Sequence, residues 1–419
     1  MGRVSVIGAG IAGLVAAKRV ALAGHTVTVY EKCSSVGGRL SSRRIDGFTL
    51  DRGFQVLFTG YPFVREELDL EKLDLYEYAN GAIVCGSNGR FPVVDPRADP
   101  GLVPEMLMSG PVGIRDALRL QSLRKELTGT ARSEIFVDTD QPTIDWLHDR
   151  GFSESFIDSF ARPFFGGFLL DRSLETSSCV TRYVLASLFA GETVIPGDGM
   201  RAIPEQLASQ ARDAGVTIET DSPVSEIDIS DTVTIDGAAG IDESDAVIVA
   251  TDPISAKKLT GIDEVPTSGK SVITQYYSHT NAPLDAGRKL LLNSESGAPN
   301  HIVQQSVVAP TQAPAGSELL SATFLESLAS SASDLASLTR EALRRWYPER
   351  ELDLTVLATD RIEFAQFEQP PGIHAQLPPI RPTDDPLFLA GEGTTWSGID
   401  GAIESGQLAA AKVNESLAT

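Results

Sequence analysis

This 419-residue chain contains no apolar run of the ~18 residues that a membrane-crossing helix needs. It has only three cysteines, Cys33, Cys85 and Cys179, and they stand singly. With no CxxC pair and no even framework, neither disulfides nor a cysteine metal site is expected. The five histidines, His25, His148, His279, His301 and His374, form no HxH or HExxH pattern, and each reads as a surface or core side chain. A metal site is therefore not expected, and no Ser–His–Asp set is visible either. Positive charge is scarce: 35 Lys and Arg face 57 Asp and Glu, for a net charge of -22. Nucleic acid calls for a basic footprint, so it is excluded as a partner. Electrostatic docking to anionic lipid is disfavoured for the same reason. The acidity reads as solubility in a salty or crowded cytoplasm, with an acidic partner-binding face as the alternative. The first strand begins at Val4, which leaves no room for a signal segment, so a cytoplasmic protein is expected.

The chain does have the length for two lobes, since single cores stop growing near ~250–300 residues. It also has a concentrated glycine motif. "VSVIGAGIAGLVAAKRVALAGHTVTVYEK" spans Val4 to Lys32. Val4–Ile7 reads as a strand, Ile11–Ala23 as a helix closed by Gly24, and Thr26–Tyr30 as a second strand. Gly8, Gly10 and Gly13 give GxGxxG between strand and helix. Gly8 permits the tight turn, Gly10 lets the backbone approach a pyrophosphate, and Gly13 lets the helix pack close to the strand. The helix start at Ile11 and Ala12 offers free amides and the positive end of a dipole. Glu31 ends the second strand, where a carboxylate accepts from ribose hydroxyls and disfavours a 2′-phosphate. A dinucleotide site follows, and not one for NADP. Close behind comes "VGGRL", in which Gly37–Gly38 allow close backbone approach and Arg39 can meet a phosphate. That second phosphate-facing loop suits FAD better than a nicotinamide.

A strand, glycine loop and helix recur at the far end in "LFLAGEGTTWSGIDGAIESGQLAA", Leu387 to Ala410. Together with "GAGIAGL", "VYEK", "VGGRLSS", "DRGFQVL", "SPVSEI" and "VIVATDP", it makes the chain resemble the flavoprotein superfamily of monoamine oxidases, protoporphyrinogen oxidases and phytoene desaturases. It is most similar in feel to the phytoene-desaturase-like members. The resemblance runs from Val4 to Gly406. It implies an α/β fold: a Rossmann-like FAD-binding domain assembled from residues 1–60, 196–255 and 383–419. A mixed α+β substrate domain would fill 61–195 and 256–382, in the amine oxidase and GDP-dissociation inhibitor arrangement. It implies that Glu392 accepts from the ribityl chain and that Asp400, Gly401, Ala402 and Ile403 open a helix facing the flavin edge. Gly53, Phe54 and Gln55 would lie beside the isoalloxazine, and Val224 would meet the adenine. Lys32, Leu40 and Gly391 complete the implied FAD set.

The first insertion reads as helix-rich, with "TIDWLHDRG" and "SCVTRYVLASLFAG" periodic and stopped by glycine. The second alternates like strands in "KSVITQYYSH", "HIVQQSVVAP" and "ELLSATFLE". "ASDLASLTREALRRWYP" reads as a helix, and "RIEFAQFEQPPGI" as a return toward the flavin. The Ser/Ala run Ser327–Ser333 reads as a loop. "FARPFFGGFLLD", Phe160 to Asp171, fits core packing and a substrate cavity equally well. "GLVPEMLMSGPVGIRDALRL", Gly101 to Leu120, reads as helix packed on the substrate domain, with a peripheral membrane contact as the alternative.

Amine oxidases of the superfamily usually carry a lysine near the flavin and a tyrosine in a "WSGYxEGA"-like segment. Here Thr274 aligns with the lysine, Lys270 lies close by in sequence where a shift of register would put it at that position, and "WSGIDGA" puts Ile399 at the tyrosine. The expected activity is therefore hydride transfer from a lipophilic, isoprenoid or porphyrinogen-like substrate to non-covalent FAD. The alternatives are a flavin amine oxidase and, more remotely, a non-catalytic lipid-binding protein of the same fold.

Overall fold

The computed structural model describes residues 1–418 except 131, 138, 230–232, 238–239, 296, 298 and 327–333. The run Ser327–Ser333 thus lies outside the described residues.

The first β-branched run forms the strand Arg3–Ile7. It is the middle strand of an all-parallel five-stranded sheet, ordered Thr217–Glu219, Thr26–Tyr30, Arg3–Ile7, Ala246–Val249 and Leu387–Leu389. Four of its registers join segments far apart in sequence or across a helix, as parallel pairing requires. Period-two alternation decides what each face covers. Val4, Val6, Ala246 and Ile248 pack with helices, whereas Ile7, Val247 and Val249 pack with Val233 and Ile235 of a second sheet. That second sheet is antiparallel and three-stranded, built from Val224–Ile229, Val233–Gly237 and Gly240–Ser244.

On the helical face, Ile11–Leu22 packs between Ala202–Asp213 and the long helix Ile399–Leu417. The contact with the long helix is close because Gly406 has no side chain: a Cβ there would stand 2.5 Å from the Ala12 carbonyl oxygen. The end of the chain is thereby locked onto its beginning.

A seven-stranded sheet forms the second layer, ordered Thr355–Phe367, Gly269–His279, Glu318–Leu325, His301–Gln304, Leu290–Asn293, Gly81–Gly86 and Gly89–Val94. Only Leu290–Asn293 with Gly81–Gly86 is parallel. The first insertion is helix-rich, and it also contributes the two strands between 81 and 94, which complete the sheet begun by the second. "HIVQQSVVAP" is corrected: the strand stops at Gln304 and a helical turn, Gln305–Val308, follows. The expected helices appear as Thr143–Asp149, Ser178–Ala190 and Leu335–Trp346. Among the described residues, no helix is long and apolar enough to cross a membrane.

Candidate active site

A cavity of about 1330 Å³ opens at the carboxyl ends of the parallel strands and runs back to the seven-stranded sheet. This is where ligands sit in open parallel sheets. The volume exceeds the ~300–1,000 Å³ of an ordinary small-molecule site, so a dinucleotide and a substrate fit together.

The first end is built by the glycine motif. Gly8 holds φ +103°, and its amide donates to the Tyr30 carbonyl at 2.8 Å, which turns the chain between strand and helix. A Cβ at Gly10 would meet nothing within 4 Å. The free space there lies at the start of Ile11–Leu22, where the first amides have no intrahelical acceptor. Gly8, Gly10, Ile11 and Ala12 line the cavity, with Glu31 and Lys32 beside them. Gly13 does not: its Cβ would be 2.0 Å from the Gly8 carbonyl oxygen, so its part is close packing. Glu31 is buried, accepting from the Ala9 amide at 2.8 Å and the Cys33 amide at 2.9 Å. Each carboxylate oxygen keeps a second lone pair for a ribose hydroxyl. Val224 lines the same end, as do Gly38, Arg39 and Leu40. An open backbone cradle, a helix start and an oriented carboxylate are what the pyrophosphate and ribose of FAD require, so the residues present fit that group.

The middle of the cavity is lined by Gly53, Phe54 and Gln55. Their backbone is held from the sheet below. The Thr274 hydroxyl oxygen accepts from the Phe54 amide at 3.2 Å, and the Tyr276 hydroxyl donates to the carbonyls of Asp51 (2.9 Å) and Gly53 (3.1 Å). Gly53 has φ +83°, and a Cβ would press on Ile362 at 2.7 Å. Burial pushes the nearby Asp51 carboxyl up to about 6, although the Ser42 hydroxyl and the Met200 amide both donate to it.

The far segment closes the cavity. Gly391, Glu392 and Ala402 line it, joined by Ile399, which stands at the expected tyrosine position, and by Trp396, Ser397 and Gly398, which the sequence did not single out. Glu392 is buried and already engaged: it pairs with Arg39 and accepts from the Ser397 hydroxyl. This refines the expectation for both residues, since Arg39 is tied to Glu392 and to the Ala365 carbonyl (3.0 Å). Asp400, Gly401 and Ile403, expected to open the helix with their amides, turn no side chain into the cavity. Asp400 is fully buried and accepts from the Val64 amide at 2.9 Å and the Tyr183 hydroxyl at 2.6 Å. Gly401 backs onto Trp396, where a Cβ would be 2.3 Å from the carbonyl oxygen, and Ile403 is core. These three anchor the helix start, while Ile399 and Ala402 present it to the cavity.

Lys270 does not rescue a cavity lysine. Its ammonium lies 3.3 Å from Asp171 and donates to the Thr176 hydroxyl at 2.8 Å, and it is absent from the cavity wall. The wall's lysines are Lys32 and Lys258, at the dinucleotide end.

The other end is apolar. "FARPFFGGFLLD" forms the helix Arg162–Leu169, and Phe160, Phe164, Phe168 and Leu170 reach the cavity while Leu169 is core. Val184 and Leu188 of Ser178–Ala190 face them, and Met106, Ala117 and Leu120 extend the wall. The signal for these residues was an unusually dense run of phenylalanine, which alone does not separate cavity from core. In the Gly101–Leu120 stretch, Met108, Ile114 and Leu118 are exposed.

Known proteins place this architecture. A 51-residue stretch is 53% identical to the 4,4'-diapophytoene desaturase (4,4'-diaponeurosporene-forming) of Staphylococcus aureus (strain Newman). That match covers 12% of this chain and only 10% of the length of the relative. An oxidoreductase from Methanosarcina mazei has the same fold, with a TM-score of 0.74 at 22% identity over 99% of this chain and 100% of that one. Cyclohexylamine oxidase from Brevibacterium oxydans superposes with a TM-score of 0.67 at 17% identity over 100% of both chains. The model of the flavin containing amine oxidoreductases matches residues 11–414, so the chain belongs to that family.

Proposed function

We propose that this oxidoreductase takes hydride from a lipophilic substrate, isoprenoid or porphyrinogen-like, with FAD held non-covalently. The apolar end of the cavity carries the reading. Phe160, Phe164, Phe168, Leu170, Val184 and Leu188 line it, and burying such a surface favours a large apolar ligand. The position of Lys270 outside the wall and Ile399 at its edge support the same choice over an amine. Non-covalent binding is supported by the cysteines: Cys85 and Cys179 lie outside the wall, and Cys33 sits at the ribose end beside Glu31.

When bound, FAD supplies the two-electron acceptor that side chains lack. The chain supplies position and environment. Gly8, Gly10 and the amides of Ile11 and Ala12 are suited to the pyrophosphate, and Glu31 to the ribose. Arg39, through Glu392, ties the second glycine loop to the closing segment. The start of the Ile399 helix presents positive dipole to the cavity, which favours negative charge there. The phenylalanine wall excludes water and orients an extended apolar substrate.

The test is an absorption spectrum before and after acid precipitation, followed by anaerobic additions. Yellow colour released by acid establishes non-covalent FAD. Bleaching by a polyene and not by an amine supports the proposal; bleaching by an amine overturns it.

A further inference from the structure

The floor of the cavity carries polar groups that no described residue satisfies. Thr274, Thr323 and His301 sit directly opposite one another on three neighbouring strands, so they share one face of the seven-stranded sheet. Thr274 is committed to the Phe54 amide. Thr323 and His301 both line the cavity and are 2% and 1% exposed. The Thr323 hydroxyl and the His301 Nε2 have no hydrogen-bond partner among the described residues. Buried polar atoms are rarely left so without a reason.

The tautomer of His301 follows from its neighbour. The Asn300 side-chain nitrogen donates to the Pro163 carbonyl at 3.0 Å, which fixes the amide orientation. The same nitrogen lies 3.1 Å from His301 Nδ1, so Nδ1 accepts. Burial also pushes the imidazole down to about 4, so it is neutral near pH 7. A neutral ring whose Nδ1 accepts carries its proton on Nε2. The ring is steadied edge-on by Phe54, with centroids 4.8 Å apart. The cavity floor therefore holds one oriented donor and, beside it, one hydroxyl.

We propose that His301 Nε2–H and the Thr323 hydroxyl anchor an oxygen atom, hydroxyl or carbonyl, of an otherwise apolar substrate. The inference rests on the lipophilic-substrate reading and narrows it from hydrocarbons to oxygenated lipophiles. A pure hydrocarbon would leave both groups buried and unpaired, whereas an oxygen satisfies them. One net hydrogen bond corresponds to about 3–10-fold in affinity, and relief of an unpaired donor adds to it.

The test titrates the FAD-loaded protein with farnesol and with farnesene, read by the flavin absorbance difference and tryptophan fluorescence. Farnesol is expected to bind about 10-fold tighter than farnesene. His301→Phe should bring that ratio near one, His301→Gln should restore much of it, and Thr323→Val should lower it in part. In the wild-type protein, nitrogen NMR should show a protonated His301 Nε2 whose resonance moves with farnesol and not with farnesene. Equal binding of both probes, an unmoved resonance, or a ratio indifferent to His301→Phe overturns the anchor while leaving the lipophilic reading intact. Binding of neither probe overturns both.

Discussion

The carboxylate of Glu31 accepts a hydrogen bond from the Ala9 amide at 2.8 Å, inside the glycine turn that shapes the dinucleotide cradle. One acid thus both holds the turn and lines the cavity where the proposed function puts the ribose. Glu31→Ala is expected to lower the flavin-to-protein ratio and to cost about 1–3 kcal/mol of stability, because two buried amides lose their acceptor. Flavin content and denaturant midpoint measured on the same preparation check both. Unchanged flavin content would remove the ribose assignment.

Arg39 and Glu392 are 353 residues apart and form an ion pair in which the carboxylate is buried and the guanidinium is partly exposed. Glu392→Ala and Arg39→Ala should each destabilise the protein. The double variant should be more stable than the sum implies, with a coupling of roughly 1–3 kcal/mol. Additive losses would show that the two residues act separately.

Lys270→Met tests the lysine that lies outside the cavity. Burial would raise the Asp171 carboxyl, but hydrogen bonds from Ser173 and the Lys270 charge hold it below the usual range. A lowered folded pKa gives stability above the unfolded value of about 3.9 and loses it as pH falls through the folded one. Lys270→Met should therefore lose about 1 kcal/mol near neutrality, with the deficit shrinking below about pH 4. The rate of flavin bleaching by substrate should not change. A collapse of that rate would return Lys270 to the chemistry.

Glu404 stands half-buried one turn past Asp400, and burial together with the Asp400 charge pushes its carboxyl up to about 7. A raised acid binds its proton more tightly folded than unfolded. Stability then falls as pH rises from the unfolded value of about 4.3 to the folded one, and stays level above. Glu404→Gln should raise the melting temperature at pH 8 and have little effect at pH 4, with a gain on the order of 1 kcal/mol after solvent screening. An equal shift at both pH values would show that the effect is not ionisation.

The dinucleotide half of the site was legible because its chemistry is local. Gly8, Gly10 and Glu31 lie within one strand–helix–strand unit, and the turn that needs them is written in consecutive residues. Gly13, Gly401 and Ile403 were also legible as motif members, yet motif membership does not separate a residue that touches a ligand from one that lets helices approach. The seven-stranded sheet was only partly readable. Gly81–Gly86, the hairpin partner of Gly89–Val94, also pairs with Leu290–Asn293 some two hundred residues later, and nothing in a short window reports such a partner. His301 read as an unremarkable core or surface histidine because its meaning depends on Thr323 across the ladder and Asn300 beside it.

The lock between Gly406 and Ala12 has a consequence for how the protein is made. Residues 387–417 emerge from the ribosome after every surface they cover, and they bring both the outer strand of the parallel sheet and the wall containing Glu392 and Trp396. The nascent chain can form its glycine turn early, but its cofactor cleft stays open to solvent until synthesis has passed them. A closed site thus waits until residues 387–417 have been made, and chains stalled before Leu387 lack the wall that contains Glu392 and Trp396.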